Sequence, residues 1–221
     1  YKILPAGTYT FDADSWTIPS GELNATAAIK IDLNKIEELG SLYDDYVLPL
    51  RITSSTGEPM GQNKYTKVLA HIGFKNDYSG TYSGKGIITQ QGTTYTTEIT
   101  STQLYAINNN ICYMFVGEKT RANTPDYLNY VVEIKRDEWG GITLSSEVGS
   151  LEFKSYNSKL SRKYTYNYND QRYYTEITTV ELAYEYLDKT QSEDLRMTFE
   201  GSFSMSRDVL RVEYPNVDVE E

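Results

Sequence analysis

The sequence has very few of the residues that most hydrolases and metal sites use. It contains one cysteine, Cys112, and one histidine, His71, among 221 residues. A lone cysteine excludes a disulfide within the chain, and these two residues cannot build a zinc site. A hydrolytic triad needs a histidine base, but His71 lies in an apolar run and is interpreted as structural. The acidic turns match no EF-hand loop. The sequence therefore predicts no catalytic residue, no metal and no cofactor.

Positive charge and long apolar runs are scarce as well. The 21 Lys and Arg residues face 31 Asp and Glu residues, which gives a net charge of −10. Nucleic-acid binding needs clustered basic side chains, so no nucleic-acid partner is expected. No run approaches the ~20 apolar residues that span a bilayer. The sequence starts at Tyr1 without a signal peptide, and we expect that an upstream segment precedes it.

Tyrosine is abundant, with 21 copies. Tyr164, Tyr166 and Tyr168 alternate with polar residues, so an extended strand would place the three rings on one face. Such a ladder suits a sugar ligand, because each ring has an apolar face and a polar tip. The alternative is a structural ladder stabilised by cross-strand pairs. Trp139, in a glycine-rich turn, is the fourth candidate for ligand binding.

The pattern along the chain is that of short strands separated by turns. Residues 33–42 predict one short helix with Asn34 as its N-cap. The pattern of residues changes near residue 75, and this change predicts two domains, residues 1–74 and 75–221. In the second domain the turn signals separate strand-like segments without helical patterns, which predicts an antiparallel meander closing into a barrel or a barrel-like sandwich. These segments are residues 80–89, 93–102, 111–117, 127–135, 142–146, 151–156, 164–168, 173–186 and 196–207.

Several short motifs stand out along the chain. In the first domain they are residues 4–9 (LPAGTY), 16–22 (WTIPSGE), 29–32 (IKID) and 46–54 (YVLPLRITS). In the second they are residues 78–84 (YSGTYSG), 182–186 (LAYEY), 196–201 (RMTFEG) and 207–209 (RDV). These motifs resemble those of a family of Bacteroidetes outer-membrane lipoproteins of unassigned function. The resemblance implies an all-β fold, a partial Ig-like β-sandwich over residues 1–74 followed by an antiparallel calycin-like (lipocalin-type) β-barrel over residues 75–221. The lipidated cysteine and first sandwich strands of the family lie outside this sequence.

The resemblance also implies a cellular setting. The implied protein is secreted and anchored to the outer membrane by lipid, on the cell surface or the periplasmic face. It would touch the membrane only through a lipid anchor that is absent from this chain. We expect a non-enzymatic lipoprotein that binds a polysaccharide or oligosaccharide, or assists outer-membrane import proteins in polysaccharide uptake. The alternatives are an adhesion or protein-interaction module and, third, a carboxylate-dependent glycoside hydrolase.

Overall fold

The computed structural model describes residues 1–38, 46–56, 62, 66–137 and 140–220. The chain falls into two units, Tyr1–Gly73 and Phe74–Glu221. Strands make up most of the regular structure in both. The predicted all-β class is confirmed, whereas the finer Ig-like and calycin-like assignments stay predictions.

The first unit contains two small sheets and a short helix. Its elements are β1 (Lys2–Ile3), β2 (Tyr9–Phe11), β3 (Ile29–Ile31), α1 (Leu33–Glu38), β4 (Tyr46–Arg51) and β5 (Lys67–Ile72). In one sheet β4 pairs with β1 in parallel and with β5 in antiparallel orientation, and in the other β2 pairs with β3. The helix begins two residues earlier than a cap at Asn34 would place it. The amide of Lys35 donates to the Asp32 carboxylate at 3.4 Å, so Asp32, not Asn34, is the capping residue.

The second unit is built around one large sheet. Its strands are β6 (Gly80–Gln90), β7 (Thr96–Ala106), β8 (Ile111–Phe115), β9 (Val131–Arg136), β10 (Ile142–Ser145), β11 (Lys154–Ser155), β12 (Lys159–Tyr166), β13 (Tyr173–Asp188), β14 (Leu195–Leu210) and β15 (Val219–Glu220). Three 3-10 turns, Tyr127–Tyr130, Gly149–Leu151 and Arg211–Glu213, connect them.

The strand order is that of an antiparallel meander whose first and last long strands meet. Neighbours along the sheet are β10, β9, β8, β7, β6, β14, β13, β12 and β15, and β11 pairs with β13 beside β12. Strands β6 to β10 pair consecutively in antiparallel fashion, as do β12 to β14, and the antiparallel pairing of β6 with β14 brings the two runs together. The short β15 pairs with β12 in parallel. In the described part of the chain no backbone pairing joins β10 to β12. The predicted meander is therefore confirmed. Within the described residues, the hydrogen-bonded strand order does not close into a complete barrel.

Alternation along the strands separates the interior from the exterior. On β13 the side chains at even positions from Glu176 to Tyr186 are buried, and on β14 Met197, Phe199 and Phe203 face the same interior. Successive side chains of a strand point to opposite faces, so these two sets line one side of the sheet. They pack with residues of β6 to β10 into one hydrophobic core.

Aromatic rings fill the centre of this core, and a glycine lies where the backbones of β6 and β14 approach each other closely. The rings of Phe199 and Tyr184 stack with centroids 4.7 Å apart, and Phe199 lies parallel to Phe203 at 6.2 Å. The register of β6 on β7 shifts between Ser83 and Gly86. There, a Cβ added at Gly84 would overlap the Ser202 carbonyl oxygen and lie 2.7 Å from Cα of Phe203. Because both neighbours are backbone atoms, the site cannot adapt by turning a side chain.

We expect Gly84→Ala to lower the free energy of unfolding by about 1–3 kcal/mol, the usual cost of overpacking a core. Urea denaturation followed by circular dichroism measures it. Gly149→Ala is the matched control, because a methyl group there meets no atom within 4 Å, and its effect should stay within about 0.5 kcal/mol. Equal effects of the two substitutions would contradict the packing account.

Candidate functional site

The long hairpin of β13 and β14 defines two ends of the second unit. At one end Glu176 lies opposite Arg207, and at the other Asp188 lies opposite Leu195. We call these the Glu176 end and the Asp188 end. Both pairs belong to the interior face, so each end places ionisable side chains next to the core.

The Asp188 end holds a cavity of about 410 Å³. Its polar lining combines two amides, three carboxylates, four hydroxyl-bearing side chains and one ammonium, and its apolar lining includes aliphatic and thioether groups. The lining residues are Ile88, Gln90, Tyr95, Thr97, Glu118, Lys119, Tyr186, Asp188, Gln191, Ser192, Glu193, Leu195 and Met197. Pockets of a few hundred Å³ with convergent polar groups are typical binding sites for small molecules.

An ion pair fixes one wall of the cavity. Nζ of Lys119 lies 2.8 Å from a carboxylate oxygen of Asp188, and the two side chains are only 11% and 9% exposed. Thr190 donates to the same carboxylate through its amide (2.9 Å) and its hydroxyl (2.7 Å). Burial raises the pKa of Asp188, but the hydrogen bonds from Lys119 and Thr190 outweigh it and hold the pKa below its usual value. Asp188 is therefore ionised at neutral pH and serves as a hydrogen-bond acceptor, not as a general acid.

Two buried tyrosines of β13 lie next to the cavity: Tyr186 lines it, and Tyr184 is two residues before it on the same face of the strand. The hydroxyl of Tyr184 accepts a 2.9 Å bond from the amide of Gly117, and a Cβ added at Gly117 would lie 2.5 Å from the Tyr186 hydroxyl. Gly117 has φ of +56°, a conformation that glycine adopts without strain. Burial raises the pKa of both phenols, so both stay neutral. The segment after β8 thus packs its backbone directly onto the tyrosines of β13.

The tyrosine ladder lies at the opposite, Glu176 end, and its three members differ in environment. Tyr164 is partly buried, and its hydroxyl donates to the Glu176 carboxylate at 3.1 Å. Tyr166 is 40% exposed, and its ring centroid is 5.9 Å from that of Tyr174. Tyr168 lies beyond the end of β12 and is 84% exposed. Only Tyr164 and Tyr166 therefore share one face of a strand, and the continuous three-ring strand ladder predicted from the sequence is wrong because β12 ends at Tyr166.

The side chain of Arg211 packs against Tyr166, an exposed member of the ladder. The Arg211 guanidinium lies 5.0 Å from the ring centroid of Tyr166 and 4.8 Å from that of Tyr174, and its Nε donates to the carbonyl of Tyr173. Cation–π contacts of this kind hold aromatic rings in place. The predicted ligand-binding role of Tyr164, Tyr166 and Tyr168 stays a prediction. Trp139, the fourth predicted residue, lies outside the described residues.

Sequence reasoning missed the residues of the cavity. Gln90, Tyr95 and Glu118 lie in or beside turns, where polar side chains are expected on solvation grounds alone. The available signal was the alternation of Leu182, Tyr184 and Tyr186, which places bulky side chains on one face of β13. That pattern indicates a core but does not reveal which end of it is open.

Two further sequence predictions concern the lone cysteine and the membrane. Cys112 is buried, as predicted, and burial raises the pKa of its thiol to about 12. Its thiolate population is therefore very small at neutral pH. Within the described ranges, no helix has the length and apolar character needed to cross a bilayer.

Comparison with known proteins identifies the family. A family model of a C-terminal domain matches residues 66–204, which is more than half of the chain, and a model of an N-terminal domain matches residues 1–59. The chain belongs to this two-domain family. The sequence resemblance is confirmed to that extent, whereas the lipid anchor stays a prediction. A comparison with curated proteins gives no match.

Solved structures from Bacteroides share the fold. A multidomain protein including DUF1735 from Bacteroides ovatus is 19% identical with a TM-score of 0.77, over 98% of this chain and 74% of that one. A protein of unknown function from the same species is 20% identical with a TM-score of 0.79, over 95% and 71%. A Bacteroides thetaiotaomicron protein described as an auxiliary nutrient binding protein is 17% identical with a TM-score of 0.78, over 96% and 72%. At these identities the likeness shows the fold alone.

The bond from Tyr164 to Glu176 yields a stability prediction. Tyr164→Phe should lower the free energy of unfolding by about 1.5–3 kcal/mol, because it leaves a buried carboxylate without one of its donors. Tyr168→Phe, which removes a hydroxyl from an exposed side chain, should change it by less than about 0.5 kcal/mol. Urea denaturation of both variants measures the difference. Equal stabilities would contradict the account of Tyr164 as an internal donor.

Proposed function

We propose that this protein is a non-enzymatic binding protein that captures a saccharide in the cavity at the Asp188 end. The polar and aromatic lining of that cavity is the observation that carries the proposal. The wider role would be that of an accessory to polysaccharide uptake, on a secreted protein anchored to the outer membrane by lipid. Its partners would be a polysaccharide or oligosaccharide and outer-membrane import proteins.

The chemistry of the lining suits a ligand rich in hydroxyl groups. Gln90 and Gln191 offer both donors and acceptors, and the Asp188 carboxylate offers acceptors held in place by Lys119. Tyr95 is 60% exposed, and its hydroxyl accepts a 3.3 Å bond from Thr97. An exposed ring beside fixed polar groups can cover the apolar C–H face of a sugar while its neighbours bond the hydroxyls. This combination favours a neutral saccharide.

The likeness to a nutrient-binding protein supports the uptake role. A structure that shares the fold over nearly the whole chain is described as an auxiliary nutrient binding protein. The resemblance to outer-membrane lipoproteins encoded with polysaccharide import systems supports the location and the class of ligand. These two observations support a cavity that binds a nutrient.

The chemistry of the cavity also supports a binding function over glycoside hydrolysis. A retaining or inverting glycosidase needs one carboxyl group with a raised pKa that protonates the leaving group. The pKa of Asp188 is lowered instead, because Lys119 and Thr190 stabilise its carboxylate. The most deeply held acid of the cavity is therefore suited to accept hydrogen bonds.

Affinity electrophoresis against a broad panel of neutral and acidic polysaccharides tests the proposal. We expect retention by at least one neutral member, weakened about tenfold in Tyr95→Ala through loss of a ring that contacts the ligand. Tyr168→Ala is the matched control, because it removes an even more exposed ring at the other end of the unit. Circular dichroism should show that both variants fold.

Three results would count against this account. Weakening by Tyr168→Ala or Tyr166→Ala but not by Tyr95→Ala would move the ligand to the tyrosine ladder. Failure to bind any polysaccharide would favour the protein-interaction alternative. Release of reducing sugar on prolonged incubation, abolished by one carboxylate substitution, would favour a glycoside hydrolase.

A further inference from the structure

Three arginines face the interior at the Glu176 end of the second unit. Arg136 shares its face of β9 with the buried Val132 and Ile134, and Arg207 shares its face of β14 with Phe203. Arg162 follows Leu160 on the inward face of β12. Arginine is rarely placed next to a core unless an anion compensates its charge.

Glu176 compensates one of the three guanidinium groups. Its side chain is fully buried, and Oε1 accepts bonds from Nε (3.0 Å) and Nη2 (2.9 Å) of Arg207. The hydroxyls of Thr178 and Tyr164 donate to the same carboxylate at 3.2 and 3.1 Å. Arg162 comes no closer than 4.0 Å to it. The Glu176 carboxylate is thus hydrogen-bonded by Arg207, and it acts on Arg162 only through its charge.

Asp77 is the second anion beside Arg162, and it is held loosely. Its carboxylate lies 3.5 Å from Nη1 of Arg162 and 3.8 Å from Nη2 of Arg207, and its side chain is 58% exposed. Exposed ion pairs at such distances contribute little to stability. The Asp77 side chain can therefore move aside at small cost when another carboxylate binds.

Arg162 also presents an edge that has no protein partner. Its Nε and Nη2 atoms are buried, and the described residues supply no hydrogen bond to either; the same holds for the hydroxyl of the fully buried Tyr78. Nε–H and Nη2–H point in the same direction from one edge of the guanidinium, which is the edge that binds the two oxygens of a carboxylate. Buried donors without a partner are costly. An anion with two adjacent oxygens would satisfy this edge.

Charge at this end favours such an anion. Burial raises the pKa of Tyr78, and the nearby positive charges of Arg136 and Arg162 oppose that rise. Arg136, Arg162 and Arg207 face the carboxylates of Glu176 and Asp77, so the cluster carries one net positive charge in a chain of net charge −10. Anions are therefore attracted to this end in preference to most of the surface.

We propose that Arg162, Arg207 and the hydroxyl of Tyr78 form a binding site for the carboxylate group of a small organic acid or an acidic sugar. Asp77 lies beside this site, next to Nη1 of Arg162, and its negative charge competes with the ligand carboxylate for the two arginines. The site lies at the opposite end of β13 from the cavity and does not depend on the saccharide proposal.

Titration of the full chain with sodium galacturonate and sodium acetate tests the site, with sodium chloride at equal ionic strength and neutral galactose as references. The thermal unfolding midpoint should rise saturably with a carboxylate and stay constant with the references. Stabilisation by both carboxylates identifies the carboxylate alone as the ligand, and stabilisation by galacturonate only identifies an acidic sugar.

Two substitutions make the test specific. Arg162→Lys keeps the charge but removes the two-nitrogen edge, so the affinity should fall about tenfold or more. Asp77→Asn removes the competing carboxylate, so the affinity should rise severalfold, whereas Asp218→Asn, an exposed acid outside the cluster, should leave it unchanged. Tyr95→Ala should not affect carboxylate binding, which separates this site from the saccharide cavity.

The proposal is overturned if neither the natural chain nor Asp77→Asn responds to a carboxylate beyond the chloride reference. It is also overturned if Arg162→Lys binds as tightly as the natural chain, since diffuse charge would then explain the binding. If Arg162→Lys fails to fold, the comparison of Asp77→Asn with Asp218→Asn decides, because equal affinities in those two variants would exclude Asp77 as the competing group.

Discussion

The antiparallel pairing of β13 with β14 is the constraint on which the second unit depends. Sixteen residue pairs, from Tyr173 with Leu210 to Asp188 with Leu195, set one register along the whole hairpin. Because side chains alternate, this register decides at once which residues reach the interior at both ends. A slip of one residue in β13 would turn Glu176 and Asp188 to the outside together, and Arg207 on β14 would lose its buried partner. The core, the cavity and the arginine cluster therefore share one structural cause.

Much of the fold could be predicted from the sequence, because period-two alternation and turn residues are local signals. They gave the meander of the second unit and a strand through Tyr164 and Tyr166. Local signals do not show which residues each face of a strand will contact. Tyr164 donates to Glu176 because β13 pairs beside β12, and Tyr168 is exposed because the hairpin turn starts before it. The cavity escaped prediction because segments distant in the chain, from β6 to β14, contribute its walls.

The two ends of the hairpin differ in the ligands that their charges favour. At the Asp188 end a buried carboxylate is held by Lys119 and surrounded by amides and hydroxyls, which suits a neutral ligand with many hydroxyl groups. At the Glu176 end arginines exceed the carboxylates that face them, which suits an anion. A protein that binds saccharides could use the two chemistries for separate ligands, and neither site requires a nucleophile or a metal.

The proposed saccharide site at the Asp188 end depends on the register of β13 and β14. The most direct measurement is residue-resolved NMR of the isotope-labelled full chain, titrated with an oligosaccharide from a polysaccharide that retains it. The account predicts that amide shifts concentrate around Gln90, Tyr95, Glu118 and Gln191, with little change at the Tyr164 to Tyr168 hairpin. Shifts concentrated at that hairpin or in the first unit, with the cavity residues unchanged, would contradict it.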